Sequence, residues 1–343
     1  MITGNLKITA ALATALALAG CFGGSGGGGG SGGVPVTIDE TVLSASAGTL
    51  AEPYILPATF PSGTNGGIDD YRSRGGVWQV SFNGMTAIRV SGPVTATLGS
   101  TAIYDTANDE WTITVDGADI TMPVDGGIPT GGRYVTPSTC SVNCGELSVL
   151  DSGISENDYG FLARAWYRPT GLFADSVYFF AHFGMKTPLG DIPNSGTASF
   201  SYGSNSGFFV RAYYDRGDGV MRPLNFIGDP ALTATFSPSG GAVDLNLDTG
   251  VQSNGSWLTL AGSATITGNE YSGTVTGEFY SGDEDAVTVQ LAPDGAGSSY
   301  SGAFYGPSMA ETLGVVYAAT EAGSATTGEL VGQFQAKQTS YTP

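Results

Sequence analysis

Trp257-Leu-Thr-Leu-Ala-Gly-Ser-Ala-Thr-Ile266 and Gly273-Thr-Val-Thr-Gly-Glu-Phe279, with Gly268-Asn269 between them, decide how this chain is read. Apolar and polar residues alternate in both runs. Successive side chains of a strand point to opposite faces, so this alternation describes strands with one dry face and one wet face. Similar runs are Thr197–Tyr202, Phe208–Tyr214, Leu232–Phe236, Ala242–Leu247, Ser299–Tyr305, Val315–Ala319 and Leu330–Lys337. They recur every ~10–20 residues with Gly, Asn, Asp or Pro between, the rhythm of an antiparallel sandwich or an up-and-down barrel. Eight or nine such runs suffice to close a small barrel and remove its edges. A barrel of that size is filled by side chains.

Upstream, residues 34–187 show shorter runs of the same kind. Val77-Trp-Gln-Val-Ser-Phe82, Ala87-Ile-Arg-Val90 and Glu110-Trp-Thr-Ile-Thr-Val115 have period-2 patterning, and Asp116-Gly117 and Asp125-Gly126-Gly127 supply turn chemistry. Arg164–Tyr167 and Val177–Gly184 read as two further aromatic strands, and no window of a dozen residues has helical periodicity. The chain is therefore expected to be all-β. The formal charge of −19 repels phosphate, which excludes nucleic-acid binding driven by counterion release. Residues 34–187 hold seven basic and sixteen acidic side chains and residues 188–343 four and fifteen, so neither half is picked out. The acidity suits either a basic partner or an organism adapted to salt; the three lysines, Lys7, Lys186 and Lys337, fit the second.

Residues 1–20 carry one charged side chain, Lys7, ahead of the apolar run Ile8–Ala19, which is too short for a membrane span of ~20 residues and reads as an export signal. Leu18-Ala19-Gly20-Cys21 resembles a bacterial lipobox, which implies diacylation of Cys21 as the first mature residue. An ordinary cleaved signal with an incidental cysteine is the plainer alternative. Residues 21–33 continue as the lipidated cysteine and a Gly/Ser tether with an r.m.s. reach of about 20 Å. Phe22 after the cysteine, where enterobacterial-type sorting reads aspartate as retention, favours transfer to the outer membrane, with the cell surface expected and a periplasmic orientation left open. Cys140 and Cys144 are expected to form a small disulfide loop, since an exported chain meets oxidising conditions; thiol-redox chemistry is the lesser alternative. A metal site there lacks two further ligands.

Four stretches carry a family likeness. They are Asp158-Tyr-Gly-Phe-Leu-Ala-Arg-Ala-Trp166 with Phe179-Phe-Ala-His-Phe-Gly184; Ile192-Pro-Asn-Ser-Gly-Thr-Ala-Ser-Phe-Ser-Tyr-Gly203; Ala231–Phe236 with Gly262–Thr274; and Gly302-Ala-Phe-Tyr-Gly-Pro-Ser-Met-Ala-Glu-Thr-Leu-Gly-Val-Val-Tyr317 with Val331–Lys337. In order, and behind a lipobox, they resemble the barrel domain of transferrin-binding-protein-B-like bacterial surface lipoproteins. The last departs from the family pattern: its double glycine appears as Leu313-Gly314-Val315, and Met309 is an extra residue. The resemblance implies a β-rich handle domain, residues 34–187, followed by an eight-stranded antiparallel up-and-down barrel, residues 188–343. It also implies binding of a host iron carrier, a haem-bearing protein or a complement regulator through handle loops, with delivery to an outer-membrane transporter. No binding motif of the family can be matched in residues 34–157. Gly306, Pro307, Glu311 and Gly314 form the structural barrel motif: Gly306-Pro307 ends a strand, Ser308–Glu311 makes one turn, and Gly314 lets the next strand start close to its neighbour. Glu311 is assigned no chemistry.

Other chemistry is weaker. The two Gly-x-Ser-x-Gly patterns, Gly23–Gly27 and Gly29–Gly33, lie in the tether and not on a strand-to-helix elbow, so no hydrolase is read from them. His182, the single histidine, is expected to be a packed or surface residue, with haem ligation by it or by a tyrosine as the small-ligand alternative. Asp283-Glu-Asp285 reads as a solvated acidic hairpin before a calcium site, and Arg216-Gly-Asp218 as a hairpin turn before an adhesion signal. No catalytic residue, metal ligand or resident cofactor is expected.

Overall fold

The computed structural model describes residues 54–59, 75–89, 97–124, 133–136, 140–141, 143–151, 159–170, 172, 176–203, 206–282, 286–292, 297–321 and 323–343. All belong to one unit, Val36–Pro343. The export signal, Cys21, the tether, the turn at 125–127 and the Asp283–Asp285 segment lie outside the described residues.

Among the described residues ten strands precede the barrel: β1 (Tyr54–Ile55), β2 (Val77–Ser81), β3 (Asn83–Arg89), β4 (Leu98–Asp105), β5 (Glu110–Val115), β6 (Ala118–Pro123), β7 (Arg133–Val135), β8 (Cys144–Asp151), β9 (Gly160–Arg168) and β10 (Val177–Gly184). They form two five-stranded sheets, ordered β1-β2-β4-β5-β6 and β3-β10-β9-β8-β7. The Asp116-Gly117 turn joins β5 to β6, both residues having the positive φ of the favoured hairpin turn. Trp78, Trp111, Ile113 and Val115 of the first sheet pack on Leu147, Phe161, Ala163 and Phe179 of the second.

Ten more strands follow: β11 (Gly196–Ser201), β12 (Phe208–Asp215), β13 (Arg222–Ser237), β14 (Gly240–Asp248), β15 (Trp257–Thr267), β16 (Glu270–Ser281), β17 (Val287–Leu291), β18 (Ser299–Tyr305), β19 (Glu311–Ala319) and β20 (Thr327–Thr342). β11 and β12 lie end to end between β13 and β20, both pairing with each. β17 and β18 likewise share the free edge of β16. With β18–β19 and β19–β20 pairing, the ladder closes as an eight-stranded antiparallel barrel with extra strand segments. The quoted β15–β16 hairpin runs in register from Trp257↔Tyr280 to Thr267↔Glu270, and Gly268, at φ +66°, opens its two-residue turn.

The barrel is apolar inside and polar outside. Phe226, Leu245, Leu260, Val275, Phe279 and Phe304 fill it, while Thr233, Asp244, Thr259 and Ser263 face out. A membrane-spanning barrel has the opposite arrangement, so this wall suits water. Among the described residues no helix is long and apolar enough to cross a membrane.

Burial shows where the second sheet meets the barrel. β13 alternates buried and exposed residues along nearly its whole length, whereas β19 and the middle of β20 are buried continuously. There Phe180 and Ile88 of the handle rest on Tyr213, Val315 and Val331 of the barrel wall. The β3–β10 side of the second sheet is thus covered on both faces. This explains why β10 is apolar at nearly every position, His182 excepted, with odd residues meeting the first sheet and even residues the barrel side.

Candidate partner-binding face

The barrel corner positions everything around it. β18 ends at Tyr305, a short 3-10 turn spans Pro307–Met309, and β19 begins at Glu311. Gly306 has φ +70°, and a Cβ there would enter the ring of Tyr159. Glu311, fully buried, accepts hydrogen bonds from the backbone N–H groups of Tyr159 (3.2 Å) and Gly160 (3.1 Å) of the handle. Thr187 Oγ1 donates to the Gly306 carbonyl at 2.8 Å. A Cβ on Gly314 would collide with the ring of Phe334. The motif therefore joins handle to barrel as well as turning the chain. Cys140 and Cys144 are joined by a disulfide beside β8. Arg216-Gly-Asp218 lies in the β12–β13 turn, Asp218 paired with Arg222.

The face that the barrel leaves partly open lies on the second sheet. Arg164, Trp166 and Arg168 share it, because they alternate along β9 with the buried Ala163, Ala165 and Tyr167. Strand pairing brings Glu146 and Tyr178 beside Trp166, and Arg133 beside Ser148. Barrel strand β12 adds Phe209 and Arg211 from its outer side. Arg168 stacks over Trp166 at 4.5 Å, Arg211 over Tyr178 at 4.1 Å and Arg164 over Phe209 at 4.6 Å. Each guanidinium is favoured by the electron-rich ring face, and Arg168 Nε also donates to Ser176 Oγ and Arg211 Nε to the Tyr213 hydroxyl.

Glu146 sits in the middle. Arg133 Nη2 (2.9 Å) and Trp166 Nε1 (3.0 Å) both donate to it. Burial works to raise its carboxyl, yet these bonds and the nearby guanidinium charges hold it below the usual range. Burial lowers Arg164, with Glu146 opposing the change and Arg211 adding to it. Arg133 and Arg164 act on this carboxylate and Arg168 and Arg211 lie on the same face, in a chain with 12 basic and 31 acidic residues. A cleft of about 280 Å³ lies at the edge of this face, lined by Arg133, Trp166, Arg168 and the disulfide. The half-buried Arg, Trp and Tyr side chains are the types that dominate binding energy at interfaces. The Arg164-x-Trp166-x-Arg168 spacing was the available sequence signal; the other members come from strands far apart in the chain.

His182 is 1% exposed, with Nδ1 2.5 Å from the Tyr305 hydroxyl. Burial holds its imidazole down at about 3. It borders a cleft of about 170 Å³, below the ~300–1,000 Å³ of sites for drug-sized ligands, so it does not open onto a porphyrin-sized pocket.

Fold and face together define an all-β protein with a two-sheet handle, an arginine-aromatic surface and a filled barrel. No family model and no curated protein matches the chain. Solved structures do. The intact Ap-TbpB, N and C lobes, is 15% identical over 72% of this chain and 46% of that one, with a TM-score of 0.42. A mutant transferrin binding protein B of Haemophilus parasuis Hp5 is 15% identical over 68% and 41%, at 0.41. The isotype 1 transferrin binding protein B of serogroup B Neisseria meningitidis is 14% identical over 76% and 43%, at 0.38. The chain spans less than half the length of these structures.

Proposed function

We propose that this chain is a non-enzymatic surface lipoprotein, held in the outer membrane by acyl groups on Cys21, that captures a protein partner in iron or haem acquisition. The observation that carries the capture reading is the arginine-aromatic face of the handle. It is a local basic surface on a strongly acidic molecule, and its partner is expected to present carboxylates. This revises the basic partner that net charge alone suggests. The iron element of the reading comes from the barrel motifs, whose ordered resemblance covers the second half of the chain. The filled barrel favours a protein over a small cargo, since its interior is occupied by Phe, Leu and Val side chains. Acyl chains at ~0.8 kcal/mol per buried CH₂ anchor the tether, which raises local concentration at the membrane without adding contacts.

The test uses immobilised iron-loaded transferrin and haemoglobin with the purified chain. Arg168→Glu and Arg133→Glu are expected to weaken capture by about tenfold or more each, as hot-spot losses of ~2 kcal/mol do. A deletion strain is expected to grow poorly on the captured carrier as its iron source. Absence of binding together with unchanged growth on every iron source overturns the reading.

A further inference from the structure

The handle–barrel joint contains a buried hydrogen-bond donor with nothing to donate to. Nε2 of His182 has no partner, although the side chain is fully enclosed apart from the cleft it borders. Its tautomer follows from its neighbours. Lys186 Nζ can only donate, and it donates to Asn83 Oδ1 at 3.0 Å. The Asn83 amide N–H donates to the Ser81 carbonyl at 3.5 Å, and burial keeps the Tyr305 hydroxyl protonated, with His182 Nδ1 beside it at 2.5 Å. Tyr305 then gives its own proton to His182 Nδ1, and Nε2 keeps its hydrogen.

Gly84 leaves that N–H uncovered. It has φ +52°, and a Cβ there would stand 2.5 Å from Nε2 and 3.2 Å from Ser301 Oγ. The bulge between Phe180 and His182 in the β10–β3 pairing sets Asn83 opposite His182 and Gly84 beside it. Glu270 and the ring of Tyr271 complete the cleft. Glu270 is ion-paired with Lys186, so the pair is neutral and adds an acceptor at the mouth. A fixed N–H, a carboxylate, a serine hydroxyl and a ring edge within about 170 Å³ offer both hydrogen-bond senses without net charge.

We propose that this cleft binds a neutral polyhydroxylated ligand the size of a single sugar unit, with His182 Nε2–H donating to a ligand oxygen and Glu270 accepting from a ligand hydroxyl. An anion meets Glu270 in a chain of charge −19. A metal ion needs the ring lone pair that the Nε2 proton occupies, and among the described residues no group of three His, Cys, Asp or Glu is placed to hold one. The inference is independent of the arginine face.

The single histidine makes the test direct. The full chain labelled with ¹⁵N-histidine has one imidazole, whose Nε2 resonance is followed on adding glucose, galactose or N-acetylglucosamine, each free and as the terminal unit of an oligosaccharide. At least one sugar is expected to shift the resonance saturably, with a Kd of about 1 mM. Response to the free sugar alone marks a monosaccharide site; response to both forms marks the end of a glycan. Ser301→Ala and Glu270→Gln, both at the rim, are expected to weaken binding severalfold, and Gly84→Ala to abolish it. A saturable shift that persists unchanged in the two rim variants overturns the proposal. So does a resonance that no sugar moves, leaving Nε2–H to an ordered water, or one moved by acetate or zinc in place of sugar.

Discussion

Glu311 is the residue on which handle and barrel depend most directly, because one buried carboxylate answers two backbone amides of the other module. Removing a buried acceptor leaves its donors paying desolvation, about 1–3 kcal/mol for each. Glu311→Ala is therefore expected to lower stability by about 2–6 kcal/mol in urea unfolding. Glu311→Gln, which keeps one acceptor oxygen, is expected to lose less than half as much; equal losses would mean that volume and not hydrogen bonding sets the cost. His182 gives a second handle on the same joint. Its imidazole stays neutral in the folded chain down to about 3 but takes a proton near 6.5 when free. Between those values the unfolded chain binds the extra proton. The contribution is thus whole above pH 6.5 and declines by about 1.4 kcal/mol for each unit below it. Carboxylates titrate there too, so the informative quantity is the difference in unfolding free energy between wild type and His182→Gln, measured from pH 7 to 4. A pH-independent difference contradicts the buried neutral imidazole.

Among the elements, β5 and β10 coincide with the runs read from sequence, and most barrel strands were legible because one face of each is wet. β13 was half hidden. Only Leu232–Phe236 stood out, since Pro223, Gly228 and Pro230 read as breakers. The register explains their tolerance. Residues 222–228 pair with β12 alone, and Pro230 pairs with β14 alone, at the gap between β12 and β11. Neither proline therefore interrupts a two-sided ladder. β17 went unread because five residues beside a loop carry too little pattern. The arginine face was legible only along β9; the cleft at His182 was not legible, because it needs Gly84 from a strand almost a hundred residues away. The inside-outside division of the barrel strands also predicts their mutational response. Phe279→Ala, inside β16 against Phe226 and Tyr214, is expected to cost about 3–5 kcal/mol. Thr265→Ala, on the outer face of β15, is expected to stay within about 0.5 kcal/mol. Comparable losses at both positions, read from thermal unfolding, contradict this orientation of the barrel strands.

At the scale of the whole molecule, two fields of opposite sign compete for an acidic partner. The three arginines of the handle and Arg211 of the barrel, which share this face, attract it over a few ångströms, whereas the −19 charge of the chain repels it over longer distances. Salt separates the two through the screening length, which is about 30 Å at 0.01 M, 8 Å at 0.15 M and 3 Å at 1 M. At the lowest salt the general repulsion reaches the approaching partner. Near 0.15 M it is screened while close arginine–carboxylate contacts persist, and at 1 M these weaken too. Affinity for an aspartate-rich peptide is therefore expected to pass through a maximum at intermediate ionic strength, where a uniformly basic protein shows a steady fall. In Arg168→Gln the maximum is expected to flatten, because the local attraction shrinks while the surrounding charge hardly changes. Fluorescence anisotropy of the labelled peptide across the three salt concentrations reads this out. A monotonic decline in wild type would mean that the acidic remainder of the molecule does not reach the face.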